Sequence, residues 1–337
     1  MILVTGATGL VGSHLVLNLL QKGKEVKALK RSSSDISKTL KVFSYYAENA
    51  QELFDKITWV DVNLMDVDDV MESTAGAQEI YHCAAMVSFA PRDKKKLLKY
   101  NSGITANLVN AALTNNISKF CFVSSVSVLD RSSEGPTSEK DFWKDDPSVS
   151  SYGISKYLSE MEVWRGVEEG LNATIVNPSL ILGPGDWSSS SSVLFNTAAK
   201  GMPFYSSGTN GFVDVRDVAN IMIELMEKNI FGKRFLLNSE NWPFKKFFTN
   251  AALALDAKPP HINMPQSLSN FYWRFEWLRS LLFGGQPKVT KETAQSAYAL
   301  TEYNSDKVRE ELGYSFIPVE KSIGEFSALY KNDQNQK

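Results

Sequence analysis

The segment that most limits how this chain can fold lies at its very start. Met1–Thr5 is a short apolar run, and Thr5-Gly-Ala-Thr-Gly-Leu-Val-Gly12 leads from it straight into an amphipathic stretch, Leu10–Lys22. Three glycines at this spacing each meet a need: a tight turn at Gly6, approach of a ligand's phosphates to the backbone at Gly9, and close helix–strand packing at Gly12. The helix start then offers unpaired N–H groups and the positive end of its dipole to a pyrophosphate. A turn of this kind beginning at residue 6 predicts the nucleotide-binding half of a parallel α/β sheet. Gly6, Thr8, Gly9, Leu10, Val11 and Gly12 are the expected cradle for a dinucleotide.

The pattern downstream agrees. Strand candidates are Met1–Thr5, Glu25–Lys30, Ile57–Asn63, Glu79–Ala84, Lys119–Ser125 and Ala173–Pro178, each short and rich in Val, Ile or aromatics,. Helical patterns lie between them, among them Lys95–Asn115 and Tyr152–Glu169. This alternation implies right-handed βαβ units and a Rossmann-type, doubly wound parallel sheet. After Pro178 the texture changes. Gly183-Pro-Gly-Asp-Trp and Ser188–Ser192 read as a mobile loop. The rest mixes helices at Asp214–Lys228, Phe244–Ala257, Pro265–Leu282 and Pro318–Tyr330 with a short strand, Phe235–Asn238. The expected division is a cofactor domain, residues 1–180 with 211–240 returning to it, and a smaller, mostly helical substrate lobe, residues 181–210 and 241–337.

Composition removes other function classes. Thirty-six Lys+Arg against 38 Asp+Glu leave a net charge of −2, so nucleic acid is not an expected partner,. Two cysteines, Cys83 and Cys121, make no disulfide framework, and three scattered histidines make no metal site,. The start carries no signal-peptide pattern, and no stretch of about 20 apolar residues offers a membrane span. A cytoplasmic location is expected.

The end of the second strand bears on which dinucleotide binds. An NAD site places an acid there for the ribose hydroxyls. Here the chain reads Lys30-Arg31-Ser32-Ser33, with no acid before Asp35. Lys30 and Arg31 suit a 2′-phosphate, which favours NADP(H) over NAD(H), although a solvated strand end reads the same way. Tyr152-Gly-Ile-Ser-Lys156 opens a helix with phenol and ammonium at i and i+4 on one face,. A fixed cation there would lower the tyrosine pKa toward working pH. The spacing alone says little, since Tyr303 and Lys307 repeat it. Position separates them, because Tyr152 follows the strand ending Phe122-Val-Ser124-Ser125 whereas Tyr303 lies far into the carboxy-terminal lobe.

Together these motifs resemble the extended short-chain dehydrogenase/reductase family (the NAD-dependent epimerase/dehydratase family) over essentially the whole chain. TGATGLVG is similar to its cofactor loop, and Tyr152 with Lys156 to its catalytic pair. Ser125 matches the catalytic serine, and Asn101 the asparagine of a proton relay. Ala84 and Ala85 match the strand segment beside the cofactor, Pro178–Pro184 the segment passing the nicotinamide, and Phe212–Ala219 the return to the main domain. The resemblance implies hydride transfer at nicotinamide C4, with Tyr152 exchanging the substrate proton, Lys156 on the nicotinamide ribose and Ser125 on the reacting oxygen. Two positions depart from the pattern. Asn63, before Leu64, stands where many relatives meet the adenine with an acid, and Asn177 stands where nucleotide-sugar enzymes often carry arginine. Ser125 is followed by Val126-Ser127-Val128, without the acidic pair of the dehydratases. The residues resemble instead the branch of dihydroflavonol reductases and 3β-hydroxysteroid dehydrogenases. The expectation is an NADP(H)-dependent oxidoreductase for a small, partly apolar carbonyl or alcohol. An NAD-dependent nucleotide-sugar epimerase and a non-catalytic cofactor sensor are the alternatives. The family also implies a homodimer through Lys95–Asn115 and Tyr152–Glu169. The aromatic stretch Phe271–Trp277 reads as lobe core, as a lid, or as a membrane-surface element. His82 reads as a packed strand residue rather than a base.

Overall fold

The computed structural model describes residues 1–132, 135–144, 149–283 and 289–335. The first six strands are β1 (Ile2–Thr5), β2 (Val26–Lys30), β3 (Thr58–Asp61), β4 (Glu79–His82), β5 (Lys119–Val123) and β6 (Ala173–Pro178). Then come β7 (Leu180–Leu182), β8 (Phe204–Tyr205), β9 (Thr209–Asp214), β10 (Lys233–Leu237), β11 (Glu240–Pro243) and β12 (Ile262–Asn263). The main sheet has seven strands in the order β10-β6-β5-β4-β1-β2-β3, every neighbouring pair parallel. It is a doubly wound Rossmann sheet. Strand order reverses between β1 and β4, and the crevice outside their carboxyl ends is where such sheets bind ligands.

The helices that follow β1 to β5 are α1 (Leu10–Gln21), α2 (Ser37–Ser44), α3 (Ala50–Asp55), α4 (Val67–Thr74), α5 (Lys94–Thr114) and α6 (Ser151–Glu168). Next are α7 (Val193–Ala199) and α8 (Val215–Glu227), which packs beside α1. One sheet face is sealed by α1 and α8 through Leu15, Leu19, Met222 and Met226. The other is sealed by α5 and α6 through Ile104, Leu108, Val109 and Val163. The strand predicted over Phe235–Asn238 is Lys233–Leu237, and it pairs with β6 as an edge of the main sheet. The short helices α2, α3 and α4 were not legible as elements, because each spans only six to eight residues.

The carboxy-terminal part comprises α9 (Phe244–Ala254), α10 (Gln266–Phe283), α11 (Lys291–Ser296), α12 (Asp306–Leu312) and α13 (Val319–Asn335), with a small sheet β11-β9-β7. Its core is aromatic, with Phe212 stacked on Phe247 at 4.9 Å and Phe195 edge-on to Phe326. The expected mobile loop at 183–192 is instead tied down. Ser192 Oγ donates to the Gly183 carbonyl (2.9 Å), Lys38 pairs with Asp186 (2.7 Å), and Trp187 Nε1 donates to Asp333 (2.8 Å). Serines there satisfy backbone groups that a Gly/Pro-rich segment would otherwise leave open. Among the described residues no helix is long and apolar enough to cross a membrane.

Candidate active site

The glycine loop takes the shape its spacing requires. Gly6 has φ +69°, a left-handed turn disfavoured for L side chains, and a Cβ there would lie 2.7 Å from the Ala84 nitrogen,. A Cβ on Gly12 would lie 2.2 Å from the Gly6 carbonyl oxygen, so α1 rests directly on the turn. Gly9 caps α1 with no side-chain hydrogen bond, which leaves the first N–H groups open,. Gly9 is exposed, and Thr8, Leu10 and Val11 are half-buried around it. This is a cradle that side chains would fill and a pyrophosphate fits. Ala84 donates its N–H to Thr5 Oγ1 (3.2 Å), which holds the exit of β4 beside the loop.

Around the adenine end the picture is mixed. Arg31 is exposed at the end of β2, and no ion pair of its guanidinium is found among the described residues. Lys30 does not share this freedom, because it is paired with Asp61, its neighbour in register on β3. The expectation that both cations serve a 2′-phosphate therefore narrows to Arg31. Lys38 enters unforeseen. It lines a cleft of about 80 Å³ with Thr8, Gly9, Gly185 and Asp186. No sequence pattern marked it, since it lies on α2 and meets the glycine loop only through the fold. Asn63 is exposed; its Oδ1 accepts from the Met65 N–H (3.1 Å), and Leu64 beneath it is buried.

At the catalytic end, β5 delivers Ser125 and α6 delivers Tyr152 and Lys156. Ser150 caps α6 by accepting from the Gly153 N–H (2.9 Å). Gly153 has no room for a side chain, since its Cβ would lie 2.8 Å from the Ser127 carbonyl oxygen, so α6 starts hard against the turn that carries Ser125. Ser125 Oγ accepts from both the N–H (3.2 Å) and the hydroxyl (2.9 Å) of Ser127, which leaves its own proton to donate. Ser125 lies close enough to Tyr152 to act on its hydroxyl. The Phe89 ring packs 5.7 Å from the Tyr152 ring.

Lys156 is buried, donates to the Val123 carbonyl (2.6 Å) and lies 4.5 Å from the centre of the Phe122 ring. Burial lowers its pKa to about 8. Tyr152 departs from expectation. Burial pushes its pKa up to about 12 and the neighbouring Ser125 hydroxyl only partly offsets this, while the Lys156 ammonium is bonded to the Val123 carbonyl. Asn101 is buried and clamps one residue from both sides, with Oδ1 accepting from the Met86 N–H (2.8 Å) and Nδ2 donating to the Met86 carbonyl (2.9 Å). Its Nδ2 also donates to Ser155 Oγ (3.0 Å), so it joins the exit of β4 to α6. Pro178 is buried at the end of β6. His82 bonds Thr5 Oγ1 (2.8 Å) and Thr105 Oγ1 (3.1 Å), and burial drives its pKa to about 3, so it is a neutral packed residue. Cys121 is buried, Cys83 half-buried, and both are free thiols.

One buried residue escaped the sequence reading. Glu160, one turn beyond Lys156, is fully buried. It accepts from Ser124 Oγ (2.7 Å), Asn177 Nδ2 (3.0 Å), Trp164 Nε1 (3.3 Å) and Arg234 Nη1 (3.3 Å). Asn177 also donates to the Ser125 carbonyl (3.2 Å). A carboxylate four residues after the lysine was the available signal, but its partners beyond α6 come from the end of β5, from β6 and from β10.

Residues 2–236 match the sequence profile of the NAD dependent epimerase/dehydratase family. The chain belongs to that family. It is thereby an NAD(P)-dependent enzyme of the oxidoreductase type, as its reductase- and dehydrogenase-named relatives also indicate. It is 30% identical to sterol demethylase protein B of Methylococcus capsulatus, over 71% of this chain and 70% of that one. It is 24% identical to dihydroflavonol 4-reductase of Arabidopsis thaliana, over 98% of this chain and 87% of that one. Among solved structures it resembles gox2253, with a TM-score of 0.81 and 30% identity, covering 99% and 98% of the two chains.

Proposed function

We propose that this enzyme interconverts a carbonyl and an alcohol on a small, partly apolar substrate, with NADP(H) as its cofactor. The observation that carries the reading is Tyr152, whose hydroxyl feels the neighbouring Ser125 hydroxyl and whose ring lies 5.7 Å from that of Phe89. When bound, the nicotinamide supplies or takes the hydride. Tyr152, with a pKa near 12, is protonated at neutral pH and is poised to give its proton to a substrate oxygen,. Ser125 directs its remaining proton toward the same oxygen, since its lone pairs are occupied by Ser127. Lys156 uses one of three N–H groups on Val123, leaving two for the cofactor ribose and the tyrosine,. Asn101 acts through Met86, holding the Ala84–Ala85 backbone where the cofactor would pass. The half-exposed Phe89 and exposed Val87 give the substrate an apolar wall.

Preference for NADP(H) is supported by Arg31, which is exposed just past β2 with no acid at the end of that strand. In this reading residues 1–180 and 211–240 hold the cofactor, and 181–210 with 241–337 close over substrate. The outward sides of α5 and α6, where Leu158 and Met161 are exposed, form the proposed dimer face. The decisive test is a panel of apolar carbonyls followed at the NADPH absorbance band, with Tyr152→Phe as the control. Turnover should vanish in Tyr152→Phe while cofactor binding persists. An unimpaired variant, or epimerisation of a nucleotide sugar without net cofactor change, would replace this reading.

A further inference from the structure

The aromatic helix α10 turns Phe271, Phe275 and Trp277 outward, which sets aside its reading as lobe core. Its neighbour α11 turns a side chain inward, onto the helix that carries Tyr152. Glu292, in the first turn of α11, accepts at Oε1 from both donors of Ser151, the backbone N–H (3.2 Å) and the hydroxyl (3.3 Å). Ser151 is the buried first residue of α6, and Tyr152 follows it directly. A helix leaves its first N–H groups without partners of its own. Ser150 answers the Gly153 N–H, and Glu292 answers that of Ser151, with a negative charge at the positive end of the helix dipole,.

Helix α11 is itself firmly held. Thr290 and Thr293 cap it reciprocally, each hydroxyl accepting from the other residue's N–H (3.2 and 2.9 Å),. Beyond it, the Ala297 and Ala299 carbonyls accept from the Gly208 and Thr209 N–H groups at the start of β9 (3.2 and 2.9 Å). The first turn of α6 also abuts the Ser127 carbonyl at Gly153. That turn is thus fixed from the cofactor domain by Ser127 and from the substrate lobe by Glu292. As a mere tie between the two, Glu292 is a poor choice. Its other oxygen, Oε2, is shut away from solvent with no donor among the described residues, and a buried acceptor without a partner is costly,.

We propose that Glu292 is a positioning residue for the reaction. By anchoring Ser151 it sets the height of the Tyr152 hydroxyl against Ser125, and so makes the substrate lobe part of the catalytic frame. The inference rests on the reading of Tyr152 as the proton donor. A displacement of about 1 Å at a reacting group costs about a hundredfold in rate, so a contact one residue from Tyr152 has kinetic consequences.

The test uses the full chain with its tyrosines isotope-labelled at the hydroxyl-bearing ring carbon, the Tyr152 resonance being assigned by its loss in Tyr152→Phe. Glu292→Ala should shift that resonance, and Glu292→Gln, which keeps an acceptor at the same reach, should return it. Ser151→Pro removes both donors instead. Proline suits the first helical position, and Ser150, at ψ 149°, has the extended backbone required before it,. This variant should reproduce Glu292→Ala, and the double variant should add nothing. With the fastest carbonyl of the panel, kcat should fall about tenfold to a hundredfold in both, with KM and NADPH quenching within about twofold of wild type. Glu292→Gln should stay near the wild-type rate. The proposal is overturned if the Tyr152 resonance or kcat is unmoved in Glu292→Ala, or if Glu292→Gln restores neither. It also falls if Glu292→Ala and Ser151→Pro both lose Tm and NADPH quenching together, since the contact would then be structural. A Tyr152→Phe variant that stays active, or a panel with no substrate, sinks the proposed reaction instead, while the resonance still reports on Glu292.

Discussion

Replacing Lys156 by Met should make the protein more stable at neutral pH while destroying its activity. The ammonium is buried against β5, and its pKa falls from 10.5 to about 8. At about 1.4 kcal/mol per unit, that shift corresponds to about 3 kcal/mol of folding free energy. The folded chain binds this proton less tightly than the unfolded chain does. Below about pH 8 both states carry it and the folded state bears the whole penalty; between about 8 and 10.5 the unfolded state binds more protons, and stability rises with pH. Methionine would keep the contact with the Phe122 ring and lose the bond to the Val123 carbonyl, at a cost of about 1 kcal/mol. The variant should therefore be more stable by about 2 kcal/mol at pH 7, an advantage gone by about pH 10. Urea unfolding of the cofactor-free protein across that range measures the gap. A wild type at least as stable as the variant at pH 7, or a gap that stays constant with pH, would refute the reasoning.

Gly12→Ala should destabilise the fold by about 1–3 kcal/mol and abolish NADPH quenching, because its methyl would press on a backbone oxygen rather than on a movable side chain. Thermal unfolding and a fluorescence titration check both. Arg31→Ala should weaken NADPH binding by about tenfold or more and leave NADH unchanged; equal losses would remove the 2′-phosphate argument. Glu160→Leu should cost about 3–5 kcal/mol, since it strands Arg234, Ser124 and Asn177 together, and Glu160→Gln should cost less. Equilibrium unfolding of the pair tests that ranking.

What was legible in the chain was whatever depends on near neighbours. The glycine turn, the long helices α1, α5 and α6 and the core strands announce themselves because their apolar periods run over many residues. The strands read one or two residues too long at their ends, as at Val62 and Ser124, which lie outside β3 and β5 although each N–H still bonds a carbonyl of the neighbouring strand (Lys30, 2.8 Å; Val176, 2.7 Å). Short helices such as α3 fall below the length at which a period can be read. At the site, Ser125, Tyr152 and Lys156 could be named from spacing and family likeness, but not their environment. The tyrosine's raised pKa reflects burial by the folded chain, and Lys156 bonds a carbonyl on a strand 33 residues earlier. Lys30 looked available because its partner, Asp61, becomes a neighbour only when β2 and β3 pair. Lys38 and Glu160 were missed for the same reason.

Glu160 also explains why β10 matters to a site it does not line. A buried carboxylate is destabilising unless a cation and hydrogen bonds answer it. Asn177, on the strand nearest to it, is neutral and supplies only an amide N–H, shared between Glu160 and the Ser125 carbonyl. The balancing charge comes from Arg234 on β10, whose guanidinium also donates to the Glu139 carbonyl (2.7 Å). Glu139 in turn accepts from the Leu236 N–H (2.7 Å), so the long loop between Ser125 and Tyr152 is fastened to the sheet edge. Trp143 on that loop stacks on Tyr157 at 4.4 Å, fastening it to α6 as well. The middle of the loop that separates Ser125 from Tyr152 is therefore held both to the sheet edge and to the helix carrying Tyr152. That frame is set by an ion pair beneath the site. Loosening it should first disturb the placement of Ser125 against Tyr152, before the glycine cradle on the far side of β4 feels it.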